Sequence, residues 1–414
     1  MILMMVFVGR GGEMSFSGEQ KKQRKVLIIV ENLPSPFDRR VWQEATSLTA
    51  AGYLVSIICP TGKGYEKKYE NIEGIHIYRH DLPLEAEGAL GYFMEYSVAL
   101  FWEFFLACKV FFKHGFDVIH ACNPPDNIFL IGGFFKLFGK KFLFDHHDIN
   151  PELYEAKFGR RDFFYKVMLF WERMTFKLAD VSIATNESYK KIAIERGGMN
   201  EQNVYVVRSG PKLDRMRILE PVEALKKGRQ YLVGYVGVMG KQEGIDHLLE
   251  AADLIINHDG RKDIQFGLVG GGTSLEEMKV YADKLSIADY VTFTGRVSDE
   301  EMLKMLNTAD VCVNPDIANE MNDKSTMNKI MEYMALSKPI VQYDLTEGRF
   351  SAQESSVYVE KNNIRDFADK LLGLLDNPEK RKKMGEFGRL RVVNDLSWEF
   401  EELMLLKAYE AIYK

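Results

Sequence analysis

The 414-residue sequence predicts two α/β domains, each built on a parallel β-sheet. Three observations lead there. A single hydrophobic core stops growing near ~250 to 300 residues, so a chain of this length divides. Short apolar, β-branched runs alternate with stretches of helical spacing, the pattern of strands covered on both faces by crossover helices. That rhythm occurs in two series, separated by SGPKLDRMRILEPVEALKKGRQ, which is charged, broken by Gly and Pro and free of strand-like runs, so the boundary falls near residues 209–229.

The first series comprises VLIIV (26–30), LVSII (54–58), DVIHA (117–121), KFLFD (141–145) and VSIAT (181–185). Between the first two lies FDRRVWQEATSLTAAGY, with apolar residues at helical spacing and Gly52 at its end, completing a βαβ unit. The second series comprises YLVGYVGV (231–238), IQFGLVG (264–270), VTFTG (291–295), VCVNP (311–315) and PIVQYD (339–344). Open parallel sheets bind ligands beyond the carboxyl ends of their strands. The two Rossmann-like halves therefore face one central cleft, and the loops after their strands are where chemistry is expected.

Composition narrows the class. With 46% hydrophobic and 28% charged residues the chain is an ordinary globular one, and 54 basic against 60 acidic residues exclude a general nucleic-acid binder. Cys59, Cys108, Cys122 and Cys312 form no CxxC pair, which argues against a zinc ribbon or disulfide framework and suits a reducing cytoplasm. The opening MILMMVFVGRGG is apolar for only eight residues and lacks a basic leader, so residues 1–25 are expected to be a flexible segment, with Met14 an alternative start. The aromatic stretch from Gly91 to Phe112 is interrupted by Glu95, Glu103 and Lys109 and is not a clean span. Together with GGFFKLFGKK and FGRRDFFYKVMLFWERMTFK it suits peripheral contact with an anionic membrane surface, the alternative being core helices with solvated charges.

Several loops could carry chemistry. In NDKSTMNKIMEYMALSKPIV, Ser325 and Thr326 are placed to cap a helix, with Lys329 and Glu332 on one face of it. Its amino terminus suits a pyrophosphate, Lys324 or Lys329 would add charge, and Glu332 could accept ribose hydroxyls. A capped surface helix with a Lys329–Glu332 ion pair is the alternative. The glycines of VGGGT, including Gly271 and Gly272, and those of VGVMGKQEG, with Gly240 and Lys241, allow close approach of a phosphate or merely a tight turn. FDHHDINPELYE sets His146, His147, Asp148 and Glu152 after a strand, where adjacent histidines point opposite ways: one faces the cleft and the other packs. No D-x-D pair stands ready to hold a divalent ion, so no metal is expected. Asp38, Arg39 and Arg40 open a helix after the first strand, where they could meet an acceptor or diphosphate or remain solvated.

The ordered set FDRRVWQEATSLTAAGYLVSIICP, DVIHACNPP, FDHHDINPELYE, LADVSIATNES, VVRSG, VGVMGKQEGIDHLLEAA, VGGG, FTGRVSDEEMLKMLNTADVCVNP and KIMEYMALSKPIV resembles glycosyltransferase family 4 of the GT-B fold. The bacterial exopolysaccharide and lipopolysaccharide enzymes are especially similar, and the resemblance covers nearly the whole chain. It implies an acceptor-binding domain at 26–212, a nucleotide-sugar-binding domain at 213–393, and a closing helix within 394–414 that packs back on the first domain. It further implies a retaining transfer without a catalytic metal or cofactor, the nucleotide diphosphate sugar serving as co-substrate. Glu332 matches the second glutamate of the family's E-x7-E motif, but its first falls on Lys324; Val238 and Glu243 stand where the family has arginine and lysine. Cys122 replaces the second histidine of I-H-x-H. The implied donor site is then Glu332, Lys329, Lys324, Ser325, Thr326, Lys241, Gly240, Gly271, Gly272 and Arg296. His147 and Asp148 become the catalytic candidates, and Asp38, Arg39, Arg40, Asn123 and Asp126 the acceptor side.

The function expected is transfer of a sugar to an acceptor hydroxyl, on a lipid-linked or growing polysaccharide, at the inner face of the plasma membrane. Two alternatives stay open. A nonhydrolysing nucleotide-sugar epimerase would convert the sugar without an acceptor, and a noncatalytic paralogue would bind donor without releasing nucleoside diphosphate.

Overall fold

The computed structural model describes residues 23–82 and 88–414, so residues 1–22 and the question of Met14 lie outside the described residues. The segment expected to be flexible through residue 25 ends sooner: Lys25 already starts the first strand, its N–H donating to Asp117 at 2.9 Å. In chain order the first half contains β1 (Lys25–Ile29), α1 (Arg39–Ala50), β2 (Leu54–Pro60), β3 (Tyr69–Ile72), β4 (Ile75–His80), α2 (Gly88–Lys113), β5 (Val118–Cys122), α3 (Phe129–Lys136), β6 (Lys141–His146), α4 (Asn150–Phe158), α5 (Phe163–Leu178), β7 (Val181–Ala184), α6 (Glu187–Glu195) and β8 (Val204–Val206). The second contains β9 (Tyr231–Val236), α7 (Ile245–Asp253), β10 (Ile264–Val269), α8 (Leu275–Lys284), β11 (Val291–Gly295), α9 (Asp299–Thr308), β12 (Val311–Asn314), α10 (Glu320–Lys324), α11 (Asn328–Ala335), β13 (Ile340–Tyr343), α12 (Thr346–Ala352), β14 (Ser356–Val359), α13 (Ile364–Leu375), α14 (Pro378–Arg391) and α15 (Trp398–Ile412).

The strands form two sheets, ordered β3-β4-β2-β1-β5-β6-β7-β8 and β11-β10-β9-β12-β13-β14. Every pairing is parallel except β3 with β4, which form an antiparallel edge hairpin. The predicted fold class is the one found, two parallel-sheet α/β units. Each sheet buries both faces, as the uninterrupted apolar runs require. Val26, Ile28, Val55 and Ile57 point to one side of the first sheet, while Leu27, Ile29 and Ile58 meet Phe116, Phe135 and Phe144 on the other.

The last helix returns to the beginning. Trp398, Leu405, Tyr409 and Ile412 of α15 pack among the core residues of β1 and β2, and Trp398 Nε1 donates to Ser47 Oγ at 2.9 Å. Both ends of the described chain thus close the first half. No helix among the described residues is long and apolar enough to cross a membrane.

Candidate active site

On the first-half side the site is built from the ends of β5 and β6. The backbone leaving β6 turns away from its sheet and needs other hydrogen-bond partners. Asn123, just after β5, supplies them. Its Oδ1 accepts from the N–H of His147 at 2.6 Å and of Asp148 at 3.1 Å, while Nδ2 donates to Asp126 at 2.8 Å and to the Asp148 carbonyl at 2.6 Å. Asn123 and Asp126, expected to touch the acceptor, are buried beneath the cleft and committed to one another. They hold the loop that carries the candidates instead.

The adjacent histidines part as extended backbone demands. His146 is fully buried among Phe144, Phe176 and Tyr189, and burial lowers its pKa to about 3, so it packs as a neutral ring. His147 faces the cleft, with its Nε2 against Asp145 and 2.8 Å from Arg40 Nε. Asp148 lies beside it, its pKa raised by burial against the opposing charges of His147 and Lys157.

Arg40 and its neighbours divide their roles differently from the expectation. Arg40 is buried, donates to Asp145 at 2.8 and 3.2 Å and to the Val207 carbonyl at 2.8 Å, and reaches the cleft only with its edge. Asp38 is the N-cap of α1, accepting from Val41 N at 3.1 Å. Arg39 points away from the cleft floor, across to the second half, where it meets Asp299 at 2.7 Å and Glu332 at 3.5 Å. Of the three, only Arg40 borders the cavity.

Glu44, His120, Cys122 and Asp145 bring ligand atoms within 4.8 Å of one another, the one grouping among the described residues that could hold a metal ion. The cation there is Arg40, 3.1 Å from Glu44 and 2.8 Å from Asp145. Burial alone would raise the Asp145 carboxyl, but the Arg40 guanidinium holds it well below the usual range. Burial and the Asp145 charge push Glu44 well up, and burial likewise keeps the Cys122 thiol protonated. One anion faces one buried cation, so charge is balanced without a further ion.

In the second half, the loops after β9 and β10 pack backbone against backbone. A Cβ on Gly272 would stand 2.5 Å from the Met239 carbonyl oxygen, and Gly270 adopts φ 134° within the same contact. Close packing explains both glycines, whereas a Cβ on Gly271 would meet nothing. Gly240 N–H donates to Glu243 Oε2 at 3.0 Å.

The lysines sort clearly. Lys329 of α11, its side chain 11% exposed, donates to Asp316 at 2.9 and 3.1 Å, 5.0 Å above the Tyr235 ring. Burial would lower its pKa, but Asp316 more than offsets this and the ammonium stays charged. Lys241 is exposed, and Lys324 pairs with Glu320 at 2.7 Å; neither lines the cavity. The position where the family has lysine holds Glu243, and a cation is supplied beside it from α11 instead.

One further expectation, the cap, fails here, and so does the alternative of an ion pair. Ser325 and Thr326 do not cap α11: Ser325 closes α10 by donating to the Met321 carbonyl at 2.7 Å, and α11 begins only at Asn328 after Met327. They bridge the halves, Thr326 Oγ1 accepting from Asn186 at 3.0 Å and Ser325 sharing a hydrogen bond with Tyr189 at 2.9 Å. Nor do Lys329 and Glu332 pair, because each has a nearer partner elsewhere. Glu332 accepts from Arg215 at 3.0 Å, and Arg215 also donates to Asp299 at 2.7 Å. Arg296, exposed, lies over the Phe37 ring at 4.6 Å, again across the halves.

Between these walls lies a cavity of about 360 Å³. Arg40, His147, Asp148 and Tyr189 border it from the first half, and Gln242, Glu243, Asp316, Asn322 and Lys329 from the second. Glu332, Arg215 and Asp299 stand outside this lining. Sequence reasoning missed Arg215, which sits in the segment read as a linker, and Asp316, thirteen residues from the lysine it fixes.

The comparisons agree with this architecture. "Glycosyltransferase Family 4" matches residues 38–215 and "Glycosyl transferases group 1" residues 217–391. A capsular polysaccharide biosynthesis glycosyltransferase, CapM of Staphylococcus aureus, is 25% identical over 261 residues, covering 59% of this chain and 66% of that protein. Among curated relatives the matched stretch spans between 33% and 67% of their own length. Sucrose-phosphate synthase of Thermosynechococcus elongatus superposes with a TM-score of 0.77 at 19% identity, covering 94% of this chain and 99% of that one. Anabaena HepE, solved with UDP and glucose, superposes with a TM-score of 0.71 at 13% identity, covering 94% and 100%. With one family description on each half and the shared two-sheet fold, the chain belongs to the family 4 glycosyltransferases of the GT-B fold.

Proposed function

We propose that this glycosyltransferase moves a sugar from a nucleotide diphosphate sugar to an acceptor hydroxyl on a lipid-linked or growing polysaccharide, with retained configuration. The observation that carries the reading is the cleft between the halves. One largely enclosed, charged lysine faces it from the second half, and a histidine and a carboxyl group face it from the first. As the donor bond breaks, negative charge gathers on the departing diphosphate. A pre-positioned ammonium at Lys329 stabilises that state more than the ground state, which is what accelerates transfer. Lys329 thereby serves without a metal ion. Glu332 receives the ribose hydroxyls, exchanging its arginine contacts for them, while His147 and Asp148 hold the acceptor hydroxyl. Retention rests on the family resemblance, and the UDP and glucose in HepE support a nucleotide sugar as donor.

We place the enzyme at the inner face of the plasma membrane, held peripherally by its first half. Phe101, Trp102, Phe105 and Phe112 of α2, with Leu137 and Phe138 after α3, leave large apolar surfaces uncovered beside Lys109, Lys113 and Lys140. Such a mixture suits an anionic lipid surface. The test of the transfer reading is release of nucleoside diphosphate from UDP-, GDP- and ADP-sugars by purified enzyme with a membrane extract as acceptor source. Release by the parent, lost in Lys329→Met, is expected. Conversion of the sugar on intact nucleotide without acceptor would instead identify an epimerase, and donor binding without release a noncatalytic protein.

A further inference from the structure

Among the described residues, neither Arg40 nor Lys329 at the cleft is free of a carboxylate. Arg40 faces Asp145 and Glu44, and Lys329 gives hydrogen bonds to both Asp316 oxygens. Asp148, Glu243 and Asp316 border the same space, so both cations are matched before any ligand enters. A nucleotide diphosphate sugar brings one ionised oxygen on each of its two phosphates. That charge needs a counterpart the resting cleft does not offer.

Glu243 is where the mismatch concentrates, because its turn cannot withdraw. Gly244, at φ 61°, presses that turn onto the loop after β12 so closely that a Cβ there would overlap the Pro315 carbonyl oxygen. Ile317 N–H and Asn322 Nδ2 both donate to the Gln242 carbonyl, at 3.1 and 2.9 Å, stitching the same two segments together. Asp316 lies between Pro315 and Ile317, so the two carboxyls share one wall, and Gly240 N–H holds a Glu243 oxygen at 3.0 Å. The charged and titratable groups around Glu243 are Asp316, Lys329 of α11 and Tyr235 of β9, whose hydroxyl donates to the Val238 carbonyl at 2.8 Å. Arg40, His147 and Asp148 look across from the first half. Burial, then the Asp316 charge, already raises the Glu243 carboxyl above its ordinary value, with Lys329 opposing. A phosphate seated at Lys329 adds a further negative charge and raises it again, since like charges disfavour the ionised form.

We propose that seating the donor diphosphate drives one proton from solvent onto the Glu243 carboxylate, which then donates a hydrogen bond to a phosphate oxygen. The proposal rests on the nucleotide-sugar reading and deepens it, making donor affinity a function of pH. A group whose pKa rises on binding takes up a proton between its free and bound values. Affinity is therefore level below the free value and falls by about tenfold per pH unit above it.

UDP-glucose, GDP-mannose and ADP-glucose are the probes, titrated calorimetrically into the full chain in two buffers of different ionisation enthalpy, from about pH 6 to about pH 9. Their phosphates do not titrate in this range, so a proton taken up belongs to the protein. Glu243→Gln keeps an acceptor for the Gly240 N–H and copies the protonated carboxyl, and Glu243→Ala is a second variant should it fold poorly. For the probe that binds, the expected result is uptake approaching one proton in the parent at the alkaline end and none in either variant. Glu243→Gln should there bind about tenfold more tightly than the parent. Binding with no uptake and level affinity would overturn the proposal and leave the donor reading standing. Uptake undiminished in the variants would place the proton on His147 or Asp148 and also overturn it. Binding lost in EDTA and restored by magnesium would give the balancing charge to a divalent cation, again overturning it. No binding of any probe would overturn the donor reading and this proposal with it.

Discussion

Arg40 shows how one buried side chain at the edge of the cavity can hold a charged network together. It neutralises Asp145 in a fully buried setting, and Asp145 in turn abuts His147 and lies 3.3 Å from His120. Removing one partner of a buried pair strands the other, at a cost of ~3–5 kcal/mol. Arg40→Met is therefore expected to lower the unfolding free energy measured in urea by an amount of that order, with Arg40→Met/Asp145→Asn recovering part of the loss. A second residue-scale expectation concerns Glu31 and Glu103: burial raises both pKa values to about 8, with repulsion from Glu103 adding to the shift of Glu31. Among the described residues neither Glu103 oxygen has a hydrogen-bond partner. A raised carboxyl holds its proton in the fold while the unfolded chain releases it near the ordinary 4.5, so this stabilising contribution is full below that value and is lost as the pH climbs to about 8. Glu103→Leu should accordingly flatten the fall in melting temperature between about pH 5 and pH 8, being more stable than the parent chiefly at the alkaline end. Equal pH slopes in the two proteins would remove this account of Glu103.

At the scale of elements, α15 belongs in space to the first half although it ends the chain. Its Tyr409 hydroxyl hydrogen-bonds to His120 Nδ1 at 2.8 Å, tying the helix to the network beneath His147. Tyr409→Phe leaves that buried ring nitrogen unpaired and should cost about 1–3 kcal/mol in chemical denaturation. Truncation before Ser397 uncovers the cores of β1 and β2 and is expected to give insoluble protein. The ten strands with apolar runs were legible in the sequence because the polar positions within them, such as Ser56, His120, Asp145, Ser182, Gln265 and Gln342, are too few to break those runs. The other four were not. β3 and β4 carry Glu70, Asn71, His76 and Arg79 in an edge hairpin, and β8 and β14 span only three and four residues. The helix before β13 was legible too, but its cap was misplaced by one or two residues, falling at Met327, because Ser325 and Thr326 spend their hydroxyls on α10 and the first half.

For the whole molecule, the sequence showed which loops meet and left open which side chains do. Lys329, His147 and Asp148 lie on loops and helix ends that the topology brings to one cleft, so their position was inferable from strand order alone. Arg215 and Asp316 were not, since their value lies in partners distant in sequence: Glu332 for the first and Lys329 for the second. Arg39 and Arg296 likewise join the halves, contacts no local pattern announces. The measurement that tests the central claim most directly is a thermal-shift titration with UDP, GDP, ADP and their sugar conjugates, run in parallel on the parent, Lys329→Met and Glu332→Ala. A stabilisation by one nucleotide class, rising with its concentration as mass action requires and reduced at least tenfold in apparent affinity by each substitution, is the result the account predicts. An equal shift in all three proteins would contradict it, placing the donor away from both residues.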